Sequence, residues 1–321
     1  MDKSLRIVFM GTPEFAVASL DALVKSRHQV VAVVTAPDRP ASRGLKLQQS
    51  AVKEYAIQNN LPVLQPEKLK DENFISQLKE LTPDLAVVVA FRMLPEVVWR
   101  LPKLGTINLH ASLLPQYRGA APINWAVING EKQTGVTTFF INQDIDKGNI
   151  LLQEKVAILE SDNAGTVHDN LMNTGSALLV KTVDYIAVGL FADVPQDTFS
   201  TDNLKPAPKI FKDDCKINWN RPAHEVFNFI RGLSPYPAAW TVLENKEGKQ
   251  LTLKIYSSLV SHDIVVAPGE ILIKDSIHIY IGCSDCAIEV KELQLEGRKT
   301  MPVADFLRGF RLEEEGWHIV N

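Results

Sequence analysis

The sequence predicts an α/β protein: a Rossmann-like, mostly parallel sheet with helices on both faces, followed by a small C-terminal β-barrel domain of OB-like type. Two observations carry the first half. Short apolar runs alternate with stretches of helical period, and "DLAVVVAF" at 84–91 is apolar almost throughout, as a strand covered on both faces requires. A third observation carries the second half: five short strand-like runs with turn signals between them follow a polar stretch rich in Pro and Asp.

Taken in order, "LRIVFMG" reads as a buried strand, and Pro13 opens a helix in which Val17, Leu20 and Val24 share a face. "QVVAVVTA" is a second strand. Ser50 is the N-cap of a helix over "SAVKEYAIQNN", and "LPVLQ" is a short third strand. "DENFISQLKEL" sets Phe74, Leu78 and Leu81 on one helical stripe before "DLAVVVAF"; a short helix near Pro95 to Arg100 and the strand "GTINLHA" follow. "GVTTFFIN" and "GNILLQEKVAI" are close enough to pair antiparallel around "QDIDKG", and a long helix runs from about Thr166 to Val188. The expected boundaries are a catalytic domain over 1–190, a linker over 191–206 and the barrel over 207–321. No internal repeat is present.

With 321 residues the chain exceeds one ordinary core, and 45% hydrophobic with 22% charged residues is a globular composition. A net charge of −4 gives no global sign of nucleic-acid binding, so any such partner must be held by a local basic patch. Three cysteines are too few for a disulfide framework. The pair in "CSDC" lacks a second pair of ligands, so no metal site is expected. The N-terminus lacks a signal-peptide core and no apolar run approaches a membrane span; a cytoplasmic protein without membrane attachment is expected.

The chemistry starts at "INLHASLLP". A strand has period two, so Asn108 and His110 project from one face, against the apolar rule for an interior strand. Two explanations fit: buried polar groups satisfied by neighbouring backbone, or a functional site at the carboxyl end of a strand. The first strand turn, "GTPEFA", has one glycine where a dinucleotide fingerprint needs three, which argues against a nicotinamide dehydrogenase. What remains is an amide, an imidazole and the carboxylates of "DIDKG". An amide N–H and an imidazolium can donate to an oxygen becoming negative, and a carboxylate can collect a proton from a nucleophile. Those are the parts of an acyl transfer to an amine. No Ser or Cys nucleophile is placed beside the histidine with evident strain, so direct transfer without a covalent enzyme intermediate is the simpler route.

"N-x-H-x-S-L-L-P", "Y-R-G-A-A-P-I", "G-V-T" and "D-x-D-x-G-x-I-L" together resemble the 10-formyltetrahydrofolate-dependent formyltransferases, over essentially the whole chain. The resemblance implies a formyl donor, 10-formyltetrahydrofolate, and an amine acceptor. It matches the family's catalytic residues to Asn108, His110 and Asp146, with Asp144 a poorer match. It also implies a folate pocket lined by Ser112, Leu113, Leu114 and Pro115 and by Phe91, Arg92, Met93 and Leu94. There "AFRMLP" is shorter than usual and puts Arg92 where a small residue is expected. The acceptor expected from the resemblance is the α-amine of initiator methionyl-tRNA, with an amino-sugar nucleotide as the rival. Arg39, Arg43 and Lys46, in a loop whose one acid is Asp38, are the candidate tRNA contacts. The barrel is expected to hold the tRNA body through Arg221, Arg231, Lys254, Arg298, Lys299, Arg308 and Arg311, and the enzyme to act as a monomer.

Overall fold

The computed structural model of the chain describes residues 4–40, 47–199, 202–312 and 314–320. It divides into two compact units, each assembled from separated stretches of sequence: Met1–Gly119, Gln133–Ala157 and His168–Ala207 form one, and Ala120–Lys132, Ile158–Val167 and Pro208–Asn321 the other. Among the described residues no helix is long and apolar enough to cross a membrane.

The first unit is the α/β layer. β1 (Arg6–Gly11), α1 (Glu14–Val24), β2 (Gln29–Val34), the short pair β3 (Arg39–Pro40) and β4 (Leu47–Gln48), α2 (Ala51–Gln58) and β5 (Val63–Leu64) come first. They are followed by α3 (Glu72–Glu80), β6 (Leu85–Val89), α4 (Glu96–Trp99) and β7 (Thr106–His110). After α5 (Pro122–Ile128), which belongs to the other unit, come β8 (Gln133–Phe140), β9 (Ile150–Ala157) and, from His168 onward, α6 (Ala164–Val188). The sheet order is β5-β2-β1-β6-β7-β8-β9, parallel from β5 to β7 and antiparallel across β8 and β9, as the short "QDIDKG" connection predicts. The chain runs outward from β1 to β5 and returns on its other side at β6. The topological switch point therefore falls between β1 and β6, next to β7 rather than at it.

The helices form where local chemistry allows. Ser50 caps α2 by accepting from the Lys53 amide, and Asp71 caps α3 by accepting from the Phe74 amide. Pro13 is the N-cap of α1, but the buried face of that helix is Phe15, Ala16, Ser19, Leu20 and Leu23. Val17 and Val24 are only half-buried, so the apolar stripe read from the sequence is rotated from the true one, which includes the small residues Ala16 and Ser19.

The second unit holds α5, α7 (Ala223–Leu233), β10 (Ala239–Glu244), β11 (Gln250–Ser261), β12 (Ile271–Lys274), β13 (His278–Gly282), β14 (Ala287–Leu295), β15 (Met301–Pro302), α8 (Val303–Gly309) and β16 (His318–Val320). Its antiparallel sheet runs β12-β13-β14-β11-β10-β16, with β15 on β14. A register shift near Ser257 lets the long β11 bend, giving a curled, OB-like half-barrel around Trp219, Ile230, Ile255, Ile281 and Phe306. Cys283 and Cys286 are buried where β13 turns into β14; burial pushes the Cys283 thiol up to about 12.

Arg231 is not a surface cation. It is buried in the second unit, with Nε donating to Asn228 Oδ1 at 2.8 Å and Nη1 to the carbonyls of Leu159 and Asp162 at 3.0 and 2.8 Å. Arg221, Arg308 and Arg311 pair with Glu225, Asp305 and Glu314. Of the seven cations expected on one tRNA face, Arg231 is therefore withdrawn into the interior, while Arg221, Arg308 and Arg311 stay exposed beside an acid three or four residues away.

One buried histidine ties β1 to α6 in the first unit. His28 Nδ1 accepts from the Leu5 amide at 3.1 Å, so the ring proton sits on Nε2, 3.1 Å from Asp184 Oδ1. Burial holds the imidazole below its usual value, with Asp184 opposing. A folded pKa below the unfolded 6.5 means that the neutral ring contributes stability above 6.5, and this is lost progressively as pH falls below it. Denaturant midpoints measured across that range should fall with pH in the wild type and fall less in His28→Gln. An identical fall in both would assign the acid sensitivity elsewhere.

Candidate active site

β7 pairs with β6 on one side and β8 on the other, placing Asn108 beside Val88 and Phe139 and His110 beside Thr137. Alternation then sorts the side chains. Leu109 packs against Gly175 of α6, which leaves Asn108 and His110 on the opposite face. His110 is buried and Asn108 half-buried. Among the described residues the Asn108 side chain has no hydrogen-bond partner.

His110 Nε2 lies 3.0 Å from the Tyr117 carbonyl. A carbonyl oxygen only accepts, so Nε2 carries a proton and donates. Nδ1 then faces Asp146, whose Oδ2 is 3.9 Å away, close enough for charge interaction and too far for a direct hydrogen bond. Asp146 Oδ2 is fixed by the Gly119 amide at 3.0 Å. Both clamps belong to the turn after β7. Its Tyr117 amide donates to the Lys205 carbonyl at 2.7 Å, and the Arg118 carbonyl accepts from the Ala207 amide at 2.8 Å. Three non-glycine residues with left-handed backbone ring the site: Ala90 (φ 48°) after β6, Tyr117 (φ 57°) after β7 and Asp146 (φ 54°) after β8. Each such conformation costs about 1–3 kcal/mol and persists where the surroundings over-determine it.

The remaining expected residues are placed less directly. Asp144 is exposed and pairs with Lys147 at 3.8 Å. Ser112, Leu114 and Pro115 are buried: Ser112 Oγ donates to the Gln116 carbonyl, the Leu114 amide donates to Thr137 Oγ1, and the Leu114 carbonyl accepts from Gln153. Leu113 is half-buried, over Gly135. Arg92 bends back to donate to the carbonyls of Pro66 and Glu67, with its guanidinium over the Phe91 ring. With Met93 and Leu94 it lines a cavity of about 850 Å³ that also takes in Lys68, Lys70, Trp99 and Gln143. Asn108, His110 and Asp146 do not line that cavity.

Arg39 is exposed, and Arg43 and Lys46 lie outside the described residues. Asp38 does not neutralise Arg39. It accepts from Lys53 Nζ at 2.6 Å and Gln65 Nε2 at 2.8 Å, and the Lys53 bond holds its carboxyl below the usual range.

The first unit is a Rossmann-like layer that brings an amide, an imidazole and a carboxylate together beside β7. Residues 5–183 match the Formyl transferase model, and residues 209–311 match Formyl transferase, C-terminal domain. The chain belongs to the formyl transferase family. It is 52% identical over 314 residues to the Methionyl-tRNA formyltransferase of Bacteroides fragilis, covering 97% of each chain. Against the Methionyl-tRNA formyltransferase of Parabacteroides distasonis the identity is 54% over 315 residues, covering 96% of this chain and 97% of that one. Among solved structures, WlaRD, a sugar 3N-formyl transferase, superposes with a TM-score of 0.63 at 20% identity, over 92% of this chain and 99% of that one. HypX from Aquifex aeolicus in complex with tetrahydrofolic acid gives 0.62 at 17% identity, over 94% of this chain and 47% of that one.

Sequence reasoning passed over the backbone clamps. Tyr117 and Gly119 stand in the "YRG" run, yet nothing in residue type says that one supplies a carbonyl to His110 and the other an amide to Asp146. Gly119 has φ 126°, and a Cβ there would come 2.4 Å from the Ala207 carbonyl oxygen. Gly119→Ala should therefore destabilise the first unit by at least about 1–3 kcal/mol. A melting temperature lower by several degrees is the expected reading, at about 2–4 °C per kcal/mol for a unit of this size. An unchanged melting temperature would show that the turn relaxes freely.

Proposed function

We propose that this protein transfers the formyl group of 10-formyltetrahydrofolate to the free α-amino group of methionyl-initiator tRNA, giving N-formylmethionyl-tRNA for translation initiation in the cytoplasm. The observation that carries the chemistry is the approach of Asp146 to His110 Nδ1, 3.9 Å, on the face where the Asn108 amide is left for a ligand. The acceptor follows the relatives matched over nearly the full length of both chains. The sugar-nucleotide reading has only a shared fold in its favour. Action as a monomer is part of this proposal.

In this reading the unprotonated amine attacks the formyl carbon, and the formyl oxygen becomes an oxyanion. The Asn108 amide donates to that oxygen. His110, held by the Tyr117 carbonyl, donates to it from Nδ1 when that atom carries a proton. Asp146 stabilises the charged ring and receives the proton lost by the attacking amine, directly or through water. Cleavage of the bond between the formyl carbon and N10 completes the transfer, and one proton returns to N10. Phe91, Arg92, Met93 and Leu94, together with Ser112, Leu113, Leu114 and Pro115, are the residues assigned to the donor. The cavity lined by Met93, Leu94, Trp99, Lys68 and Lys70 suits a flat heterocycle with an anionic tail. Arg39, Arg43 and Lys46 contact the acceptor arm of the tRNA, where a guanidinium makes a forked phosphate contact that lysine does not reproduce.

The test is incubation with 10-formyltetrahydrofolate and either charged initiator tRNA or an amino-sugar nucleotide. Formylated methionyl-tRNA is the expected product, and formylation of the sugar alone would overturn the acceptor. Removal of one oxyanion donor costs about 10²–10³ in turnover, so Asn108→Ala should lose about that factor while binding tRNA normally. Turnover near the wild-type value would take Asn108 out of the mechanism.

A further inference from the structure

The stretch after α6 is polar and aperiodic in sequence, yet Gln196 within it is only 3% exposed. All of its side-chain bonding capacity is directed at the candidate site. Nε2 donates to the carbonyls of Asp146 at 2.9 Å and Gly148 at 2.8 Å. Oε1 accepts from Arg118 twice, from Nε at 3.1 Å and from Nη2 at 2.6 Å. Only one orientation of the amide satisfies these partners, since two carbonyls need its NH₂ and a guanidinium needs its oxygen.

What those bonds hold is specific. Asp146 and Gly148 flank Lys147 in the β8–β9 connection, so Gln196 grips the backbone on which the carboxylate is mounted. Gly148 approaches β8 so closely that a Cβ there would come 1.5 Å from the Phe140 carbonyl oxygen, so only glycine fits and no side chain braces the connection. Arg118 is the neighbour of Gly119, whose amide clamps Asp146 Oδ2. Gln196 therefore fixes both the backbone that carries the Asp146 carboxylate and the turn that orients it. Burial pulls the Arg118 guanidinium down from its usual value and Asp146 opposes this, consistent with the two charges sharing one enclosed region.

We propose that Gln196 is a positioning residue for formyl transfer, acting through Asp146 by setting where that carboxylate stands relative to His110. The proposal rests on the catalytic reading of Asp146 given above. A misplacement of about 1 Å costs about a hundredfold, so Gln196→Met should lower kcat by about ten- to a hundredfold, with KM for both substrates within about twofold of wild type.

A purely structural effect would also lower activity, so the deciding experiment is a double-mutant cycle with Asp146→Ala, each variant checked by melting temperature. Once Asp146 is gone there is nothing left to position. Gln196→Met in the Asp146→Ala background should therefore change the residual kcat by no more than about twofold. Gln196→Glu serves as the second variant and decides alone if the methionine variant does not fold. It has the same shape and keeps the Arg118 contact while turning an oxygen toward the two carbonyls, and it should show the same loss in the wild type and the same silence in Asp146→Ala. Equal fold losses in both backgrounds, or full kcat in a folded Gln196→Glu, would overturn the proposal while leaving Asp146 catalytic. If Asp146→Ala alone kept wild-type kcat, the catalytic reading would fail and the proposal with it.

Discussion

A carbonyl oxygen can accept a hydrogen bond and cannot donate one, and in this protein that limitation on Tyr117 fixes the chemistry of His110. Because Nε2 must carry the proton that Tyr117 accepts, Nδ1 is the nitrogen presented to Asp146. The Tyr117 carbonyl points at the ring because the residue is left-handed, and it stays so because its amide is tied to the Lys205 carbonyl and its neighbours are tied to Ala207. The same turn then supplies the Gly119 amide to Asp146. One short loop thus sets the tautomer of the imidazole and the position of its carboxylate partner.

That arrangement is tied together by a set of polar contacts. Left-handed backbone at Ala90, Tyr117 and Asp146 costs about 1–3 kcal/mol at each residue. The hydrogen bonds that offset it, to the Lys205 carbonyl and from Ala207, Gly119 and Gln196, contribute about 0.5–1.5 kcal/mol apiece. Such a loop keeps its shape only while nearly all its bonds are made, and this accounts for a buried glutamine with a full set of partners beside the site.

The same division explains what could be read beforehand. Asn108 and His110 stand out because a strand has period two and polar residues on an interior strand violate it at once. Leu109, facing α6, and Asn108, facing away, are where the alternation puts them. Asp146 has no such signal: it lies in an irregular connection, and only the resemblance of the "DIDKG" run to a known family singled it out. Gln196 was illegible because its partners are backbone atoms 48 and 50 residues away, and aperiodic sequence carries no record of them. Arg231 misled for a related reason: composition marks it as a surface cation, while the carbonyls of Leu159 and Asp162 make a buried site for it. α5 and α8 went unread because seven residues barely span two helical turns, too few for a period to show.

The central claim is that the fold presents Nδ1 of His110, and not Nε2, to Asp146 and the reacting groups. Nitrogen-15 NMR of the imidazoles, with His110 assigned by comparison with His110→Ala, reads this directly. In the neutral ring the account predicts a protonated Nε2 and an unprotonated Nδ1. A neutral His110 protonated on Nδ1 would contradict it, because the Tyr117 carbonyl would then face a nitrogen with nothing to donate.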